Sequence, residues 1–227
     1  MTEDNGATSG QAHSGRTGQR IRGAALITGC SSGIGHATAL RLHAAGYTVY
    51  ATARKPGSIA DLAAARITTL PLDVADEASM TAVVRQIAAE HGAVSVLVNN
   101  AGFELAGPVE EIPLAQARRQ FEINFFGVAR LTQLVVPGMR ERGGGTIINL
   151  SSVFGRFAVS GNAYYAASKH AVAAFTDALR LELAGFGIHA VLIEPTAPAF
   201  DAFLRTQFPV PRTAASQRGN TKEDHHG

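Results

Sequence analysis

The sequence predicts an α/β fold built on a doubly wound parallel sheet of about six strands. Short apolar runs alternate along the chain with longer segments in which Ala, Leu and Val recur at helical spacing. The apolar runs are continuous rather than alternating, as expected of strands that helices cover on both faces. This alternation favours parallel strands joined by right-handed crossovers, and no second domain or further repeat is evident.

The elements follow one another regularly. The predicted strands span residues 24–28, 48–53, 67–72, 94–99, 146–150 and 189–194. The clearest helical patterns span residues 36–45, 78–91, 113–142 and 163–186. No seventh apolar run follows Pro195, so we expect no seventh strand.

Composition limits the possible partners. The 227 residues are 46% apolar, which suits one domain with a sizeable core. The formal net charge is +2 and the basic residues are scattered, so we expect no nucleic-acid partner. No stretch is apolar and long enough to span a bilayer, so we expect no membrane partner. No pattern predicts a metal site.

The two ends differ from the centre. Residues 1–22 are rich in Gly, Ser, Thr and Gln and lack the apolar segment of a secretory signal, so we predict a disordered tail. The predicted domain spans residues 23–211, and residues 212–227 form a polar tail. Cys30 is the only cysteine, which excludes an internal disulfide and favours a cytoplasmic setting. We expect Cys30 to fill a small position rather than act as a reactive thiol.

A glycine-rich turn follows the first predicted strand. The segment TGCSSGIG (residues 28–35) lies between an apolar run and a helical pattern, which is the context of a Rossmann-like dinucleotide site. Glycines let the backbone approach a pyrophosphate, and a helix N-terminus supplies N–H donors. The candidate phosphate-binding residues are Gly29, Ser31, Ser32, Gly33, Ile34 and Gly35. A tight glycine turn without a ligand is the alternative.

A second motif has the residues needed for proton transfer. Tyr165 and Lys169 are four positions apart and share one face of a predicted helix. An ammonium beside a phenol lowers the tyrosine pKa, so that Tyr165 could exchange a proton near neutral pH. Ser152, just after the fifth strand, could hold a carbonyl or hydroxyl oxygen. A tyrosine packed on the core beside a solvated lysine is the alternative.

Together these motifs resemble the short-chain dehydrogenase/reductase family, from about residue 23 to about residue 195. The resemblance extends to Asp73-Val74, to NNAG (residues 99–102) and to NFFG (residues 124–127), in the family's order. The glycine spacing also matches this family rather than the G-x-G-x-x-G of other dinucleotide folds. The resemblance implies an NAD(P)-dependent oxidoreductase that interconverts a carbonyl and a secondary alcohol.

The resemblance also assigns catalytic roles. It implies that Tyr165 is the acid or base and that Lys169 lowers its pKa and binds the nicotinamide ribose. Ser152 would orient and stabilise the substrate oxygen, and Asn124 would hold a water that links Lys169 to solvent. Alternatives remain for two of these residues. Ser152 could instead cap a strand end, and Asn124 could simply bond neighbouring backbone.

Two neighbours compete for the same roles. Ser151 could supply the relevant hydroxyl, although the family's spacing to the tyrosine selects Ser152. Tyr164 is the rival tyrosine, but four positions beyond it lies Ser168 rather than a base.

The end of the second strand bears on cofactor choice. An acidic residue there would bond the adenosine ribose and repel a 2′-phosphate. The segment ATARK (residues 51–55) has no acid, and the next one is Asp61. Arg54 can pair with a phosphate, so we expect NADP, with NAD as the other candidate. An ordinary solvated arginine is the alternative.

Further cofactor contacts follow from the resemblance. Asp73 would bond the adenine amino group and Val74 would line the ring, although Asp73 could also cap the following helix. The adenosine side of the cofactor would pass Asn100, Ala101 and Gly102. Pro195 and Thr196 would lie by the nicotinamide.

Thr196 departs from the family pattern, which has a glycine there. Because of this departure and the missing seventh strand, the sequence does not predict how the substrate site is covered. They motivate an alternative function, a catalytically inactive cofactor-binding sensor or interaction protein.

The substrate is less determined. Five apolar residues lie near motif positions and suggest a pocket for a hydrophobic carbonyl or alcohol, or else plain core: Phe103, Leu105, Val153, Phe154 and Phe157. Residues 113–142 and 163–186 carry apolar side chains on more than one helical face. Because relatives pair these helices between subunits, we expect a homodimer.

Overall fold

The computed structural model describes residues 22–195. It contains six strands: β1 Ala24–Ile27, β2 Thr48–Ala53, β3 Thr68–Pro71, β4 Val94–Asn99, β5 Gly145–Leu150 and β6 Ile188–Ile193. They form one sheet in the order β3-β2-β1-β4-β5-β6, and every pairing is parallel. The predicted fold class is confirmed, and each strand agrees with its prediction to within one residue at either end.

Six helices connect the strands. They are α1 Gly33–Ala44, α2 Ala60–Ala64, α3 Glu77–His91, α4 Leu114–Phe121, α5 Gly127–Glu141 and α6 Ala163–Leu183. Single 3₁₀ turns occupy Pro56–Ile59, Val153–Gly155 and Ala184–Phe186. No helix of residues 22–195 is long and apolar enough to cross a membrane. The two predicted tails, Thr196 and the question of a seventh strand lie outside the described residues.

The predicted helix over 113–142 is interrupted by a π-helical turn, Glu122–Phe126, between α4 and α5. Such turns insert one residue into a helix and are frequent at functional sites. Gly127 follows the turn, and a Cβ there would lie 2.5 Å from the carbonyl oxygen of Val74. Glycine therefore lets this helix approach the β3–α3 loop, while the π turn carries the buried Asn124.

Alternate residues of β1 pack into two separate hydrophobic cores, one on each face of the sheet. On one face, Ala25 and Ile27 of β1 belong to the cluster that includes residues of α1 and α2. On the other face, Ala24 and Leu26 belong to the cluster that includes residues of α3, α5 and α6. Both faces of β1 are therefore buried, as its continuous apolar sequence predicts.

Parallel pairing brings the carboxyl ends of all six strands to one edge of the sheet. The strand order reverses between β1 and β4, so the loops after these two strands diverge and leave a crevice. The loops carrying the predicted site residues therefore meet at this edge.

Candidate active site

A cleft of about 310 Å³ opens at this edge. Its lining includes eight residues predicted from the sequence: Ile34, Asn100, Gly102, Phe103, Ser152, Tyr165, Lys169 and Pro195. Glu104, Leu150 and Ser151 complete the lining. The two predicted motifs, far apart in the chain, therefore contribute to one cavity.

The glycine-rich turn packs directly on the loop that follows β4. Gly29 has φ +70°, and a Cβ there would lie 2.8 Å from the Cα of Ala101. A Cβ on Gly35 would overlap the side-chain nitrogen of Asn100 and lie 2.6 Å from the carbonyl oxygen of Gly29. Both positions require glycine because backbone and side chain already fill the space.

The N-terminus of α1 suits a phosphate group. Its N-cap residue Ser32 makes no side-chain capping hydrogen bond. The backbone around Ser31, Ser32 and Gly33 is exposed, and a Cβ on Gly33 would meet nothing within 4 Å. The N–H donors of the first helical turn are therefore accessible to an anion. These residues fit the pyrophosphate of a dinucleotide.

Thr28, which the sequence analysis gave no role, holds the two loops together. Its Oγ1 accepts hydrogen bonds from the backbone N–H of Asn100 at 3.0 Å and of Ala101 at 2.9 Å. The Asn100 amide donates to the carbonyls of Thr28 at 2.8 Å and Gly29 at 3.0 Å. The Asn100 side chain thus braces the turn. The sequence signal for this role of Thr28 is a side-chain hydroxyl at the end of an apolar strand.

The end of β2 lies beside the same turn. The backbone N–H of Cys30 donates to the carbonyl of Thr52 at 2.8 Å. Arg54 is the first residue after β2 and is exposed. The Cys30 thiol is fully buried, and burial raises its pKa to about 12, so it fills a small position rather than acting as a nucleophile.

Asp73 does not cap the following helix, so that alternative is wrong. The N-cap of α3 is Asp76, whose carboxylate accepts from the N–H of Ala78 at 3.0 Å. Asp73 instead accepts from the N–H of Ala75 at 3.0 Å and lies 3.4 Å from the guanidinium of Arg119. The sequence alone does not show which aspartate caps α3, because Asp73 and Asp76 both suit a helix start. The contact between Asp73 and Arg119 joins residues 46 positions apart and has no local signal.

Ser152, Tyr165 and Lys169 converge at the other end of the cleft. The Ser152 hydroxyl lies close enough to Tyr165 to lower its pKa, and Ser152 accepts from the N–H of Phe154 at 3.3 Å. The Lys169 ammonium lies 5.7 Å from the centre of the Tyr165 ring and donates to the Leu150 carbonyl at 2.8 Å. The i, i+4 prediction is therefore correct for the geometry of this pair.

The expected lowering of the Tyr165 pKa is not found. Burial raises the pKa of Tyr165, the Ser152 hydroxyl lowers it, and the nearby Glu104 charge raises it further. Burial also lowers the pKa of Lys169 to about 8. The prediction considered only the two charges, whereas desolvation of both side chains dominates here.

The two rival residues are placed differently from Ser152 and Tyr165: Ser151 lines the cleft but its hydroxyl is engaged, and Tyr164 lies outside the cleft. Ser151 is buried, and its hydroxyl donates to the Lys169 carbonyl at 3.0 Å. Tyr164 lines a separate groove of about 270 Å³ formed with residues of α4 and the π turn. The Ser151 hydroxyl is therefore used to join β5 to α6, and Tyr164 does not line the cleft.

Asn124 braces the loop after β4 rather than bonding its neighbours. Its Nδ2 donates to the Phe103 carbonyl at 3.0 Å and to the Ser168 hydroxyl at 3.1 Å, while its Oδ1 accepts from the Phe103 N–H at 3.0 Å. The alternative of simple local bonding is therefore wrong. A Cβ on Gly102 would lie 3.1 Å from Asn124 Oδ1 and 3.6 Å from Lys169 Nζ, so both polar groups flank this glycine.

Aromatic side chains lie next to Tyr165. Phe154 packs edge-on against Phe157 and Tyr165, with ring centres 5.4 Å and 6.1 Å away. Phe103 and Phe157 are 38% and 52% exposed, so neither is plain core. Phe154 therefore adds apolar surface next to Tyr165, beside the polar residues that line the cleft.

The fold and this cleft define a dinucleotide-dependent oxidoreductase. The model of the short chain dehydrogenase family matches residues 23–205, and the chain belongs to this family of NAD(P)-dependent dehydrogenases and reductases.

Relatives with assigned names are about 40% identical. The chain is 40% identical over 184 residues to the probable short-chain type dehydrogenase/reductase VdlC of Helicobacter pylori, covering 81% of this chain and 68% of VdlC. It is 39% identical to a 3-ketodihydrosphingosine reductase of Bacteroides thetaiotaomicron, covering 75% and 62% of the two chains. It is 42% identical to human retinol dehydrogenase 8, covering 75% and 57%.

Solved structures of similar proteins share the fold. A short-chain dehydrogenase from Streptomyces avermitilis superposes with a TM-score of 0.75 at 42% identity, covering 77% of this chain and 65% of that one. A gluconate 5-dehydrogenase from Burkholderia cenocepacia, in complex with NADP, has a TM-score of 0.72 at 32% identity, with 77% and 71% covered. A 7α-hydroxysteroid dehydrogenase in complex with NADH has a TM-score of 0.74 at 27% identity, with 80% and 74% covered. These neighbours include complexes with either dinucleotide.

Proposed function

We propose that this protein is an NADP-dependent oxidoreductase that interconverts a carbonyl and a secondary alcohol on a hydrophobic small molecule. The observation that carries the proposal is the meeting of Ser152, Tyr165 and Lys169 in one cleft with the glycine-rich turn. The dinucleotide, when bound, supplies or accepts the hydride. The side chains of the cleft supply the proton and the geometry.

Tyr165 and Ser152 act on the substrate oxygen. In reduction, the Tyr165 hydroxyl gives its proton to the oxygen as negative charge develops there. Ser152 donates a second hydrogen bond to the same oxygen, which stabilises that charge. Burial raises the pKa of Tyr165, so the tyrosine holds its proton before the transfer, as the proton donor in reduction must.

Lys169 and Asn124 support the tyrosine. The Lys169 ammonium is close enough to stabilise the phenolate that remains after proton transfer. With a pKa of about 8, Lys169 can also lose and regain a proton near neutral pH. Asn124 Oδ1 lies on the same side of Gly102 as this ammonium, which suits a water that returns the proton from solvent.

NADP is the proposed cofactor because of Arg54. The residue follows β2 directly, beside the turn that would hold the pyrophosphate, and is exposed. A guanidinium there can pair with a 2′-phosphate, and no carboxylate takes its place. Asp73 would then bond the adenine, and the backbone of residues 100–102 would pass the adenosine.

The substrate is proposed to be lipid-like. Phe103, Phe154 and Phe157 surround the approach to Tyr165 with apolar surface. The names of two relatives, one acting on 3-ketodihydrosphingosine and one on retinol, support a hydrophobic substrate.

We also propose a homodimer formed through the face that carries α4 and the π turn. Leu114 and Phe126 are 55% and 52% exposed there and line an apolar groove with Phe121 and Tyr164. Arg118 and Glu122 line the same groove and could pair between two copies related by a twofold axis. Light scattering at micromolar concentration tests this, and a fully active monomer would contradict it.

The function is tested by following the oxidation of NADPH and NADH with ketones, aldehydes and quinones of graded size. We expect turnover of apolar carbonyl compounds with NADPH, increasing with apolar length. Tight NADPH binding without turnover across the panel would instead support the inactive, cofactor-binding alternative.

A further inference from the structure

One carboxylate faces the cleft close to the proposed acid. Among the described residues that line it, Glu104 is the only acidic one. It lies in the loop after β4, directly after Phe103, whose backbone Asn124 fixes on both its N–H and its carbonyl. The Glu104 side chain is therefore carried by a braced segment of backbone.

Lys169, the cation among the described residues that line the cleft, and Arg156 in the loop after Ser152 are both engaged. Lys169 is buried and donates to the Leu150 carbonyl at 2.8 Å. Arg156, in the loop that follows Ser152, is paired with Glu194, with 2.7 Å between its Nε and a carboxylate oxygen. Among the described residues that line the cleft, a substrate that reaches Tyr165 thus meets the ring of Phe103 and the carboxylate of Glu104.

We propose that Glu104 sets the charge preference of the site and selects carbonyl substrates with a cationic amino group near the carbonyl. The ammonium would lie against the Glu104 carboxylate while the carbonyl oxygen accepts hydrogen bonds from Tyr165 and Ser152. The alkyl chain would lie on the phenylalanines. Substrates with a carboxylate or phosphate at the same place are repelled. This inference rests on the proposed function, since it names the substrate class of the same cleft.

The charge of Glu104 also acts on catalysis. It raises the pKa of Tyr165, because a second negative charge beside the phenolate is unfavourable. A substrate ammonium between the two groups offsets this repulsion as the tyrosine gives up its proton. The amino group therefore helps the chemical step as well as binding, and its effect is expected in kcat as well as in KM.

The test compares three ketones of equal chain length with NADPH as the reductant: a long-chain 2-amino-3-ketone, the same 3-ketone without the amine, and the same 3-ketone with a 2-carboxymethyl group, a carboxylate that is stable to decarboxylation. An exposed ion pair of this kind corresponds to a preference of up to about fivefold in kcat/KM. We expect this preference for the amino ketone in the wild-type protein, and the carboxylate should be the poorest substrate.

Glu104→Gln keeps the size of the side chain and removes its charge. It should abolish the amine preference and raise kcat/KM for the carboxylate relative to the uncharged ketone, whose own rate reports the effect of the Glu104 charge on Tyr165. Glu110→Gln is the matched control, because Glu110 is exposed in the same loop but does not line the cleft. The proposal is overturned if Glu104→Gln keeps the amine preference or if Glu110→Gln abolishes it.

A binding measurement separates this inference from the proposed function. Octylamine, octanol and octanoate are titrated into the NADPH complex and followed by nucleotide fluorescence. If no ketone is reduced but octylamine binds more tightly than octanol, and only Glu104→Gln removes the difference, the proposed function fails and the charge preference stands. Equal binding of the three probes to the wild-type protein would refute the charge preference.

Discussion

The two ends of the cleft are built by different means. At the nucleotide end, the side chains of Thr28 and Asn100 bond to the backbone of the facing loop, and glycines are needed at Gly29 and Gly35 because no further side chain fits. At the catalytic end, side chains bond to one another or to distant backbone, as Asn124 does with Ser168 and Phe103. The nucleotide end therefore depends on glycines, which let two loops approach closely, as well as on two bracing side chains, whereas the catalytic end depends on functional groups alone.

A buried amide ladder beneath the catalytic end extends this contrast. Asn99 of β4 donates to Asn149 of β5 at 2.9 Å, and Asn149 donates to Thr176 of α6 at 2.9 Å. All three side chains are buried, so their hydrogen bonds are costly to break. The ladder ties α6, which carries Tyr165 and Lys169, to the centre of the sheet.

The largest expected effect is the loss of activity when the Tyr165 hydroxyl is removed, which tests whether this one group controls the rate at the catalytic end. Tyr165→Phe removes the proposed proton donor and should lower kcat by about 10²–10⁴-fold. The affinity for NADPH should change little, because the ring and its packing remain. Initial rates and fluorescence titration measure the two effects.

Tyr164→Phe is the matched control for that variant. Tyr164 is the adjacent tyrosine on the same helix but lines the outer groove rather than the cleft. It should retain near wild-type rates. Equal activity of the two variants would contradict the assigned mechanism.

A second prediction concerns the cost of burying a charge at the catalytic end. Lys169 has a pKa of about 8 in the folded protein, against about 10.4 for an unfolded lysine. Between these values the unfolded chain holds more protons, so the free energy of unfolding rises with pH through this window. Below pH 8, burying the Lys169 ammonium lowers the free energy of unfolding by its full amount. Above about pH 10.5 the lysine is neutral in both states, so this loss of stability disappears.

Urea unfolding of wild type and Lys169→Met checks this sign. The stability of wild type relative to the variant should increase by about 3 kcal/mol between pH 7 and pH 10.5. Lys55→Met, at an exposed position, controls for the loss of a lysine. A relative stability that stays constant or falls with pH would refute the lowered pKa.

Two glycines at the nucleotide end should respond differently to the same change. Gly35→Ala places a Cβ against Asn100 and the Gly29 backbone, so it should lower the free energy of unfolding by about 1–3 kcal/mol. Gly33→Ala meets open space in the protein, and its φ of +58° costs about 1 kcal/mol. Its Cβ would instead occupy the space proposed for the pyrophosphate.

The two glycine variants therefore separate scaffold from ligand contact. Unfolding without nucleotide should show the larger loss for Gly35→Ala. NADPH titration should show a larger loss of affinity for Gly33→Ala than its loss of stability accounts for. The reverse ranking in both measurements would mean that the roles of these glycines are exchanged.

Local signals predicted most of this molecule, and non-local contacts account for the rest. Continuous apolar runs located the six strands to within one residue, and motif spacing located Ser152, Tyr165 and Lys169. The bracing of Phe103 by Asn124 was not predictable, because it joins residues distant in sequence across a π turn. The raised pKa of Tyr165 was missed for the same reason, since burial depends on the whole fold.

The smallest predicted effect concerns cofactor choice at the nucleotide end, where one exposed side chain is proposed to act. Arg54→Asp turns an attraction for the 2′-phosphate into repulsion, so the NADPH dissociation constant should rise by roughly tenfold while NADH binding is unchanged or improved. Lys55→Asp makes the same charge change at the next position and should alter the NADPH-to-NADH ratio less. Both nucleotides are titrated into the three proteins by fluorescence. An unchanged ratio in Arg54→Asp, or an equal change in Lys55→Asp, would mean that a general positive field rather than Arg54 recognises the phosphate.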